Sequence, residues 1–163
     1  TVPMSEILDR LSRPSSPFFV KSNRAKDWAS CVLRGPGDVV GYLHVPEDHP
    51  MLVSDVVDFV AEWRVFVCDG EVIDVAGYKG DPLAASPPRR QVLTMAAAIN
   101  RRAWSFDVGL TSDGRYLLVE AHTALCLGQY GLGPRLGFRL HSTAWAEAMT
   151  YRRRSTAPQS TPP

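Results

Sequence analysis

Two carboxylates and a histidine fall on one predicted hairpin. Asp107 and Glu120 each have apolar neighbours and lie six and seven residues from Asp113 in the predicted turn. On antiparallel strands this spacing makes them near cross-strand neighbours. His122 follows Glu120 by two positions, so its side chain leaves the strand on the same face. Adjacent carboxylates repel unless a cation neutralises them, and Mg²⁺ does so through carboxylate and phosphate oxygens. The pattern therefore predicts a metal site with Asp107, Glu120 and His122 as ligands.

The same three residues also have an interpretation without a ligand. In that interpretation Asp107 caps a strand end, Glu120 faces solvent and His122 only packs against its neighbours. Carboxylates on strands are often just solvated. The residues by themselves leave both interpretations open.

Three cations elsewhere in the chain are candidates for binding phosphate. Lys21 ends the apolar run 18–20, and Lys26 follows in a polar segment. Lysines at strand ends offer point charges for phosphate oxygens, although a solvated loop explains them equally well. Arg64 lies between two apolar residues of a strand-like run. A guanidinium in that position either pairs with a carboxylate or binds an anionic ligand.

Two hairpins must position most of these side chains. An Asp-Gly dipeptide at Asp69 and Gly70 separates two alternating runs, which is a strong hairpin signal. Ser112-Asp113-Gly114 separates a second pair of runs. The predicted strands are 62–68 and 71–76 in the first hairpin, and 104–110 and 116–121 in the second.

The remaining pattern is a mixture of short strands and helices. Periodicity predicts helices over 5–12, 89–102 and 142–154, and short strands over 18–21, 31–33, 41–45 and 52–57. The Pro-rich polar tail from residue 155 is too polar to fold. Helices combined with antiparallel hairpins favour an α+β fold over a doubly wound parallel sheet.

Composition excludes several classes of function. The 163 residues (18.0 kDa) suffice for one domain or two small lobes, and the net charge of +1 gives no reason to expect binding to nucleic acid or to a membrane. Three widely spaced cysteines argue against disulfides and zinc, and favour a reducing, cytoplasmic setting. No apolar run reaches the roughly 20 residues of a membrane span. P-loop and Rossmann motifs are also missing.

Three segments, taken in order, resemble the core of the ATP-grasp superfamily, in particular its short bacterial and phage members. They are Pro-Phe-Phe-Val-Lys at 17–21, Glu-Trp-Arg-Val-Phe-Val with Asp-Gly-Glu-Val-Ile at 62–73, and Phe-Asp-Val-Gly to Leu-Val-Glu-Ala-His at 106–122 followed by Gly-Gln-Tyr-Gly at 128–131. The resemblance spans roughly residues 17–132. It implies an α+β fold of two small lobes whose antiparallel sheets clamp a nucleotide.

The resemblance also implies a division of the chain. The predicted parts are an N-terminal helix and linker over 1–16, an ATP-grasp-like domain over 17–154, and a disordered tail over 155–163. Within the domain, a smaller lobe covers about 17–60 and a larger lobe about 61–154.

The chemistry that the resemblance implies is ATP- and Mg²⁺-dependent ligation. Lys21, Lys26 and Arg64 would bind the nucleotide phosphates, with Lys21 and Arg64 also acting in catalysis. The metal ligands would be Asp107, Glu120 and His122. ATP would activate the carboxylate of a small molecule or peptide as an acyl-phosphate, which an amine or similar nucleophile then attacks.

Two departures from the family pattern support a competing hypothesis. His122 stands where the family usually has Asn, and imidazole is a poorer ligand for Mg²⁺ than an amide oxygen. Only 16 residues precede the first matched segment, whereas the family usually has an N-terminal domain for the acceptor. The chain would then be a catalytically impaired nucleotide-binding or interaction module, or a partner domain or homo-oligomer would supply the acceptor site. A purely structural α+β domain is a third hypothesis.

Overall fold

The computed structural model describes residues 1–13, 15–24, 29–125 and 127–155. The chain divides into two units, Thr1–Val57 and Asp58–Pro163. Each unit contains one four-stranded sheet in which every pairing is antiparallel. Together with the helices this confirms the predicted α+β class. None of the helices in the described residues has the length and apolar character needed to cross a membrane.

The first unit has a sheet with the strand order β1-β4-β2-β3. Its elements are β1 (Val2–Pro3), α1 (Met4–Leu11), β2 (Phe18–Ser22), β3 (Cys31–Leu33), a 3-10 helix (Pro36–Tyr42) and β4 (Pro50–Asp55). Helix α1 buries Met4, Ile7 and Leu11 in the same core as Phe18 and Val20 of β2. The apolar spacing that predicted this helix is therefore the spacing of its buried face.

A strand predicted over 41–45 is wrong, because the chain forms the 3-10 helix Pro36–Tyr42 there. Pro36 fits the first helical position, where its missing N–H is not needed. The Asp38 carboxylate accepts hydrogen bonds from the backbone N–H of Arg34 (2.6 Å) and of Gly35 (3.3 Å). These local hydrogen bonds stabilise a turn against an extended strand.

The second unit has a sheet with the strand order β6-β5-β7-β8. Its elements are β5 (Phe59–Cys68), β6 (Glu71–Gly80), α2 (Arg89–Ala96), β7 (Ala103–Thr111), β8 (Tyr116–Thr123) and α3 (Pro134–Ser155). Both predicted hairpins are confirmed, and Asp69 and Gly70 have positive φ values of 51° and 81°, as the tight turn requires. Helix α2 is shorter than predicted, and α3 begins well before residue 142.

The two faces of the second sheet have different partners. Val65 and Val67 of β5 lie in a core that includes Val92 of α2. Phe66 and Cys68 alternate with them, and they lie in a core that includes residues of α3. The face under α3 is therefore apolar at one end of β5, while its other end carries polar side chains.

Gly80 at the end of β6 is expected to tolerate substitution much less well than Gly114 in the β7–β8 turn. Both have positive φ, 87° and 83°, but a Cβ on Gly80 would lie 2.2 Å from the carbonyl oxygen of Val60, whereas a Cβ on Gly114 meets nothing within 4 Å. Gly80→Ala should lower the free energy of unfolding by about 2 kcal/mol more than Gly114→Ala, because only Gly80→Ala adds a backbone clash to the shared φ penalty. Urea unfolding of the two variants measures the difference, and equal losses would contradict it.

Candidate functional site

The site is built around a buried ion pair between two adjacent strands. Arg64 of β5 lies directly opposite Asp107 of β7. Nε and Nη2 of Arg64 donate to Oδ1 and Oδ2 of Asp107, each at 2.7 Å. Only 7% of the Arg64 side chain and 2% of the Asp107 side chain are exposed. The two planar groups thus meet in the two-pronged geometry that makes such pairs strong.

Glu120 and His122 of β8 complete a cluster with Asp107. Asp107 and Glu120 are direct cross-strand partners. His122 Nε2 lies 3.0 Å from Glu120 Oε1 and 3.5 Å from Asp107 Oδ2. One ligand atom from each of the three residues lies within 4.8 Å of the others. The structure therefore brings together the three residues for which the sequence predicts a metal site.

The surroundings of His122 identify the ring nitrogen that carries a proton. Nε2 faces the oxygens of Glu120 and Asp107, and Arg64 Nη2 lies 3.2 Å away. A lone pair on Nε2 would point at two carboxylates, whereas an Nε2–H group donates to Glu120. We assign the proton to Nε2, so this nitrogen must lose it before it can bind a metal.

Glu62 and Tyr78 extend the polar cluster, and sequence reasoning assigned them no role. The Tyr78 hydroxyl lies 2.8 Å from Glu62 Oε2 and 3.0 Å from Asp107 Oδ2, and its single proton can be donated to either carboxylate. The Lys79 ammonium pairs with Glu62. Glu62 is 5% exposed, so this neighbouring cation compensates a nearly buried carboxylate.

Tyr130 packs against Arg64 from a loop before α3. Its ring stacks on Tyr78 with centroids 4.6 Å apart, and the Arg64 guanidinium carbon lies 4.8 Å from its centroid. Such contacts between a cation and aromatic rings are attractive. Tyr130 has a positive φ of 43°, a strained backbone conformation typical of functional sites. It belongs to the segment 128–131 quoted in the resemblance, where it had no assigned role.

Burial and hydrogen bonds have opposite effects on Asp107. Burial alone would raise its pKa, but hydrogen bonds from Arg64, His122 and Tyr78 outweigh burial and lower the pKa to about 2. For Tyr78, burial and then the hydrogen bond to Glu62 raise the pKa. Asp107 is therefore an anion and Tyr78 a neutral donor at neutral pH.

The Asp107 carboxylate is expected to make folding stability depend on pH only in acid. Its pKa is lowered from 3.8 to about 2 on folding. Its stabilisation is thus fully present above about pH 4 and is lost as the pH falls through 2, with a magnitude of about 2 kcal/mol. Urea unfolding between pH 2 and 5 should show the stability gap between the protein and Asp107→Asn shrinking by this amount. A constant gap over that range would contradict the assignment.

A family model agrees with this constellation along most of the chain. The model, described as an ATP-grasp domain of clade family 2, matches residues 3–137. The chain belongs to the ATP-grasp family. No curated protein matches the sequence.

Solved ATP-grasp structures have the same fold at low sequence identity. A RimK domain ATP-grasp protein from Sphaerobacter thermophilus DSM 20745 matches with a TM-score of 0.62 and 13% identity, covering 91% of this chain and 59% of that one. The ATP-grasp ligase PsnB, complexed with a minimal precursor, matches with 0.54 and 16%, covering 88% and 52%. N5-carboxyaminoimidazole synthetase from Staphylococcus aureus matches with 0.56 and 12%, covering 88% and 44%. The chain thus spans about half the length of these relatives.

The donor atoms of the cluster fit a divalent cation, with restrictions. A carboxylate offers about four acceptor positions. Arg64 and Tyr78 take up three hydrogen-bonding contacts on Asp107, which leaves Oδ1 as its less occupied oxygen. The Glu120 side chain is 37% exposed and offers carboxylate oxygens suited to Mg²⁺. The imidazole of His122 suits Mn²⁺ or Zn²⁺ better than Mg²⁺.

The two predicted phosphate-binding lysines belong to the first unit. Lys21 lies in β2, is half-buried, and is opposite Leu52 of β4. Lys26 lies outside the described residues. The geometry described above therefore concerns Arg64 and the three predicted metal ligands, and the role of both lysines stays a prediction.

Proposed function

We propose that this ATP-grasp chain takes part in ATP- and Mg²⁺-dependent ligation of a carboxylate to an amine or similar nucleophile. The observation that carries the proposal is the convergence of Asp107, Glu120 and His122 within 4.8 Å beside a buried arginine. Phosphoryl transfer needs positioned cations and metal-binding carboxylates and little else from the protein. Membership of the ATP-grasp family supports this chemistry for the site.

Each residue of the site has a proposed role. Glu120 and the free position of Asp107 hold the metal ion, with His122 as a third ligand; when bound, this ion neutralises phosphate charge. Arg64 contacts the transferred phosphoryl group or the acyl-phosphate. Asp107 and Tyr130 hold its guanidinium in place, so Arg64 need not be ordered when substrate arrives. Their role is positioning.

The lysines and the proposed reaction complete the proposal. Lys21 and Lys26 bind the nucleotide phosphates. A carboxylate oxygen of the substrate attacks the γ-phosphorus of ATP, the bond to the β-phosphate oxygen breaks, and ADP leaves. The nucleophile then attacks the acyl carbon and expels phosphate. The substrate is a small-molecule or peptide carboxylate, and a partner domain or second copy supplies part of the acceptor site. The expected setting is the cytoplasm.

A nucleotide-binding module with impaired catalysis is the second candidate. The observation that favours it is the engagement of Asp107 by Arg64 and Tyr78, because a carboxylate with its acceptor positions in use binds metal poorly. His122 in place of the family's usual Asn acts in the same direction.

Calorimetric titration of the full chain with ATP tests the proposal. We expect ATP to bind in Mg²⁺ and at least tenfold more weakly in EDTA, a difference of about 1.4 kcal/mol. Glu120→Gln should remove most of this metal dependence. Glu71→Gln is the matched control, because Glu71 is an exposed carboxylate of the same sheet that pairs with Arg139. It should bind ATP like the parent chain.

Two results separate the candidate functions. ATP binding with no dependence on Mg²⁺ or Glu120 would remove the metal site from the proposal. ATP binding without release of ADP, over a panel of carboxylates and amines, would favour the impaired module. ADP release that depends on both a carboxylate and an amine would support the ligase.

A further inference from the structure

A cavity of about 880 Å³ lies in the second unit, away from the polar cluster. Its floor is the first half of β6, including Val72, Ile73 and Val75. One wall is Val92 and Leu93 of α2, and the other contains Leu136 of α3. We call this cavity the β6 groove.

The β6 groove runs along an unpaired sheet edge. Among the described strands, β6 is outermost in the order β6-β5-β7-β8. Val72 packs with the core under α2, and Ile73 packs with the core under α3. These two cores lie on opposite faces of the sheet, so a cavity that both helices line must follow the edge between them. An edge strand offers backbone N–H and C=O groups for pairing with another strand.

One backbone donor of this edge is held by a side chain of its own strand. The Val75 N–H donates to Asp74 Oδ1 at 2.8 Å. This is an edge-facing group, because a local carboxylate occupies it in place of a neighbouring strand. Charged residues on edges commonly prevent unwanted pairing. An incoming carbonyl group can replace this contact, so Asp74 selects against weak partners.

The recessed position of the edge limits what can pair with it. Helices α2 and α3 stand on either side of β6, as the lining by Leu93 and Leu136 shows. A single extended chain fits between them. A second folded copy has its own edge equally recessed, so two such edges cannot approach within the roughly 4.8 Å that strand pairing requires.

The charges at the rim favour an acidic partner. Arg89 and Arg139 line the β6 groove together with one carboxylate, Glu71. Glu71 Oε2 pairs with Arg139 Nη2 at 3.0 Å. Arg89 is exposed, and the structure records no ion pair for it among the described residues. The rim therefore carries one uncompensated positive charge beside apolar side chains.

We propose that the β6 groove binds an extended acidic peptide segment as an added strand on β6. The backbone of the peptide pairs with the edge of β6. Its alternate apolar side chains contact Val75 and Leu93, which are 38% and 44% exposed. A carboxylate of the peptide pairs with Arg89. This mode of recognition draws affinity from the main chain and selectivity from alternate side chains.

A defined peptide library tests this site on the full chain. The probes are acetylated heptapeptide amides with Val, Ile, Leu or Phe at alternate positions and Asp or Glu at either end, measured by fluorescence polarisation. The strongest binders are remade with N-methyl groups on one or the other alternate set of amides. We expect methylation of the set that faces β6 to weaken binding at least tenfold, and methylation of the outward set to change it little.

Variants of the chain locate the binding. Arg89→Glu should weaken binding at least tenfold, while Arg101→Glu, an exposed cation outside the β6 groove, should not. Asp74→Ala should strengthen binding by freeing the Val75 N–H. Failure of the whole library to bind, equal binding to Arg89→Glu, or equal effects of the two methylation patterns would overturn the proposal. Dimerisation through β6 in analytical ultracentrifugation would also overturn it, because a second copy would then be the occupant.

Discussion

Asp107→Ala is expected to lower the free energy of unfolding by about 3–5 kcal/mol. The change leaves the Arg64 guanidinium buried, with 7% of its side chain exposed and both of its short hydrogen bonds to Asp107 removed. Burying an unpaired charge costs much more than a lost surface contact. The Tyr78 hydroxyl also loses one of its two acceptors. Urea unfolding at neutral pH, followed by circular dichroism, measures the loss.

A double substitution separates the cost of an orphaned charge from the value of the pair. Arg64→Met alone should also be strongly destabilising, because it leaves the Asp107 carboxylate buried with too few donors. The combination of Arg64→Met with Asp107→Leu removes both charges, and should cost much less than the sum of the two single variants. Additive losses would show that the two side chains contribute independently, which the geometry of the pair does not allow.

The pair is thus better explained by position than by stability. Apolar residues of similar volume can replace buried ion pairs with little cost, so stability alone gives no reason to retain one. A bidentate carboxylate and the Tyr130 ring fix the guanidinium of Arg64 in one place. A fixed cation at the end of a sheet is useful where an anion must be bound in one orientation.

The strands of this site could be predicted, because their signals are local. Alternation around Asp69 and Gly70 determines the β5–β6 hairpin without any long-range information. The pairing of Arg64 with Asp107 joins residues 43 positions apart on strands from different hairpins, and no local pattern encodes it. The sequence therefore left open whether Arg64 binds a carboxylate or a ligand, and the fold brings it to a carboxylate.

Two irregularities of β6 explain why Tyr78 was not predicted. Regular pairing from the turn, where Cys68 opposes Glu71, would place residue 77 opposite Glu62. The register shifts between Glu62 and Trp63 and between Phe66 and Val67, so Glu62 opposes Lys79 instead. These bulges bring Tyr78 beside Glu62 and Asp107. A bulge depends on packing with neighbouring strands, and sequence alternation does not reveal it.

A smaller irregularity of the same kind sharpens the cluster of carboxylates. The register of β7 and β8 shifts between Asp107 and Val108, so that Asp107 opposes Glu120 while Val108 opposes Leu118. Without the shift, Asp107 would oppose Val119. The sequence predicted near neighbours, and the bulge makes the two carboxylates direct partners.

His122→Asn is expected to raise the affinity of the cluster for Mg²⁺ about tenfold and to lower its preference for Mn²⁺ over Mg²⁺. An amide oxygen is a better ligand for Mg²⁺ than an imidazole nitrogen. His122 also donates from Nε2 toward Glu120 Oε1 at 3.0 Å, so the imidazole competes with a metal for that carboxylate. Electron paramagnetic resonance of Mn²⁺ bound to the full chain, with Mg²⁺ as competitor, measures both changes.

The controls for this variant separate metal chemistry from folding. His44→Asn makes the same substitution in the first unit, outside the cluster, and should leave the competition unchanged. His122 is 19% exposed, so the asparagine variant should fold, and thermal unfolding without metal checks that it does. Equal Mn²⁺ preference in His122→Asn and the parent chain would remove His122 from the ligand set. The metal would then depend on Asp107 and Glu120 alone, and Arg64 would be the permanent third charge of the site.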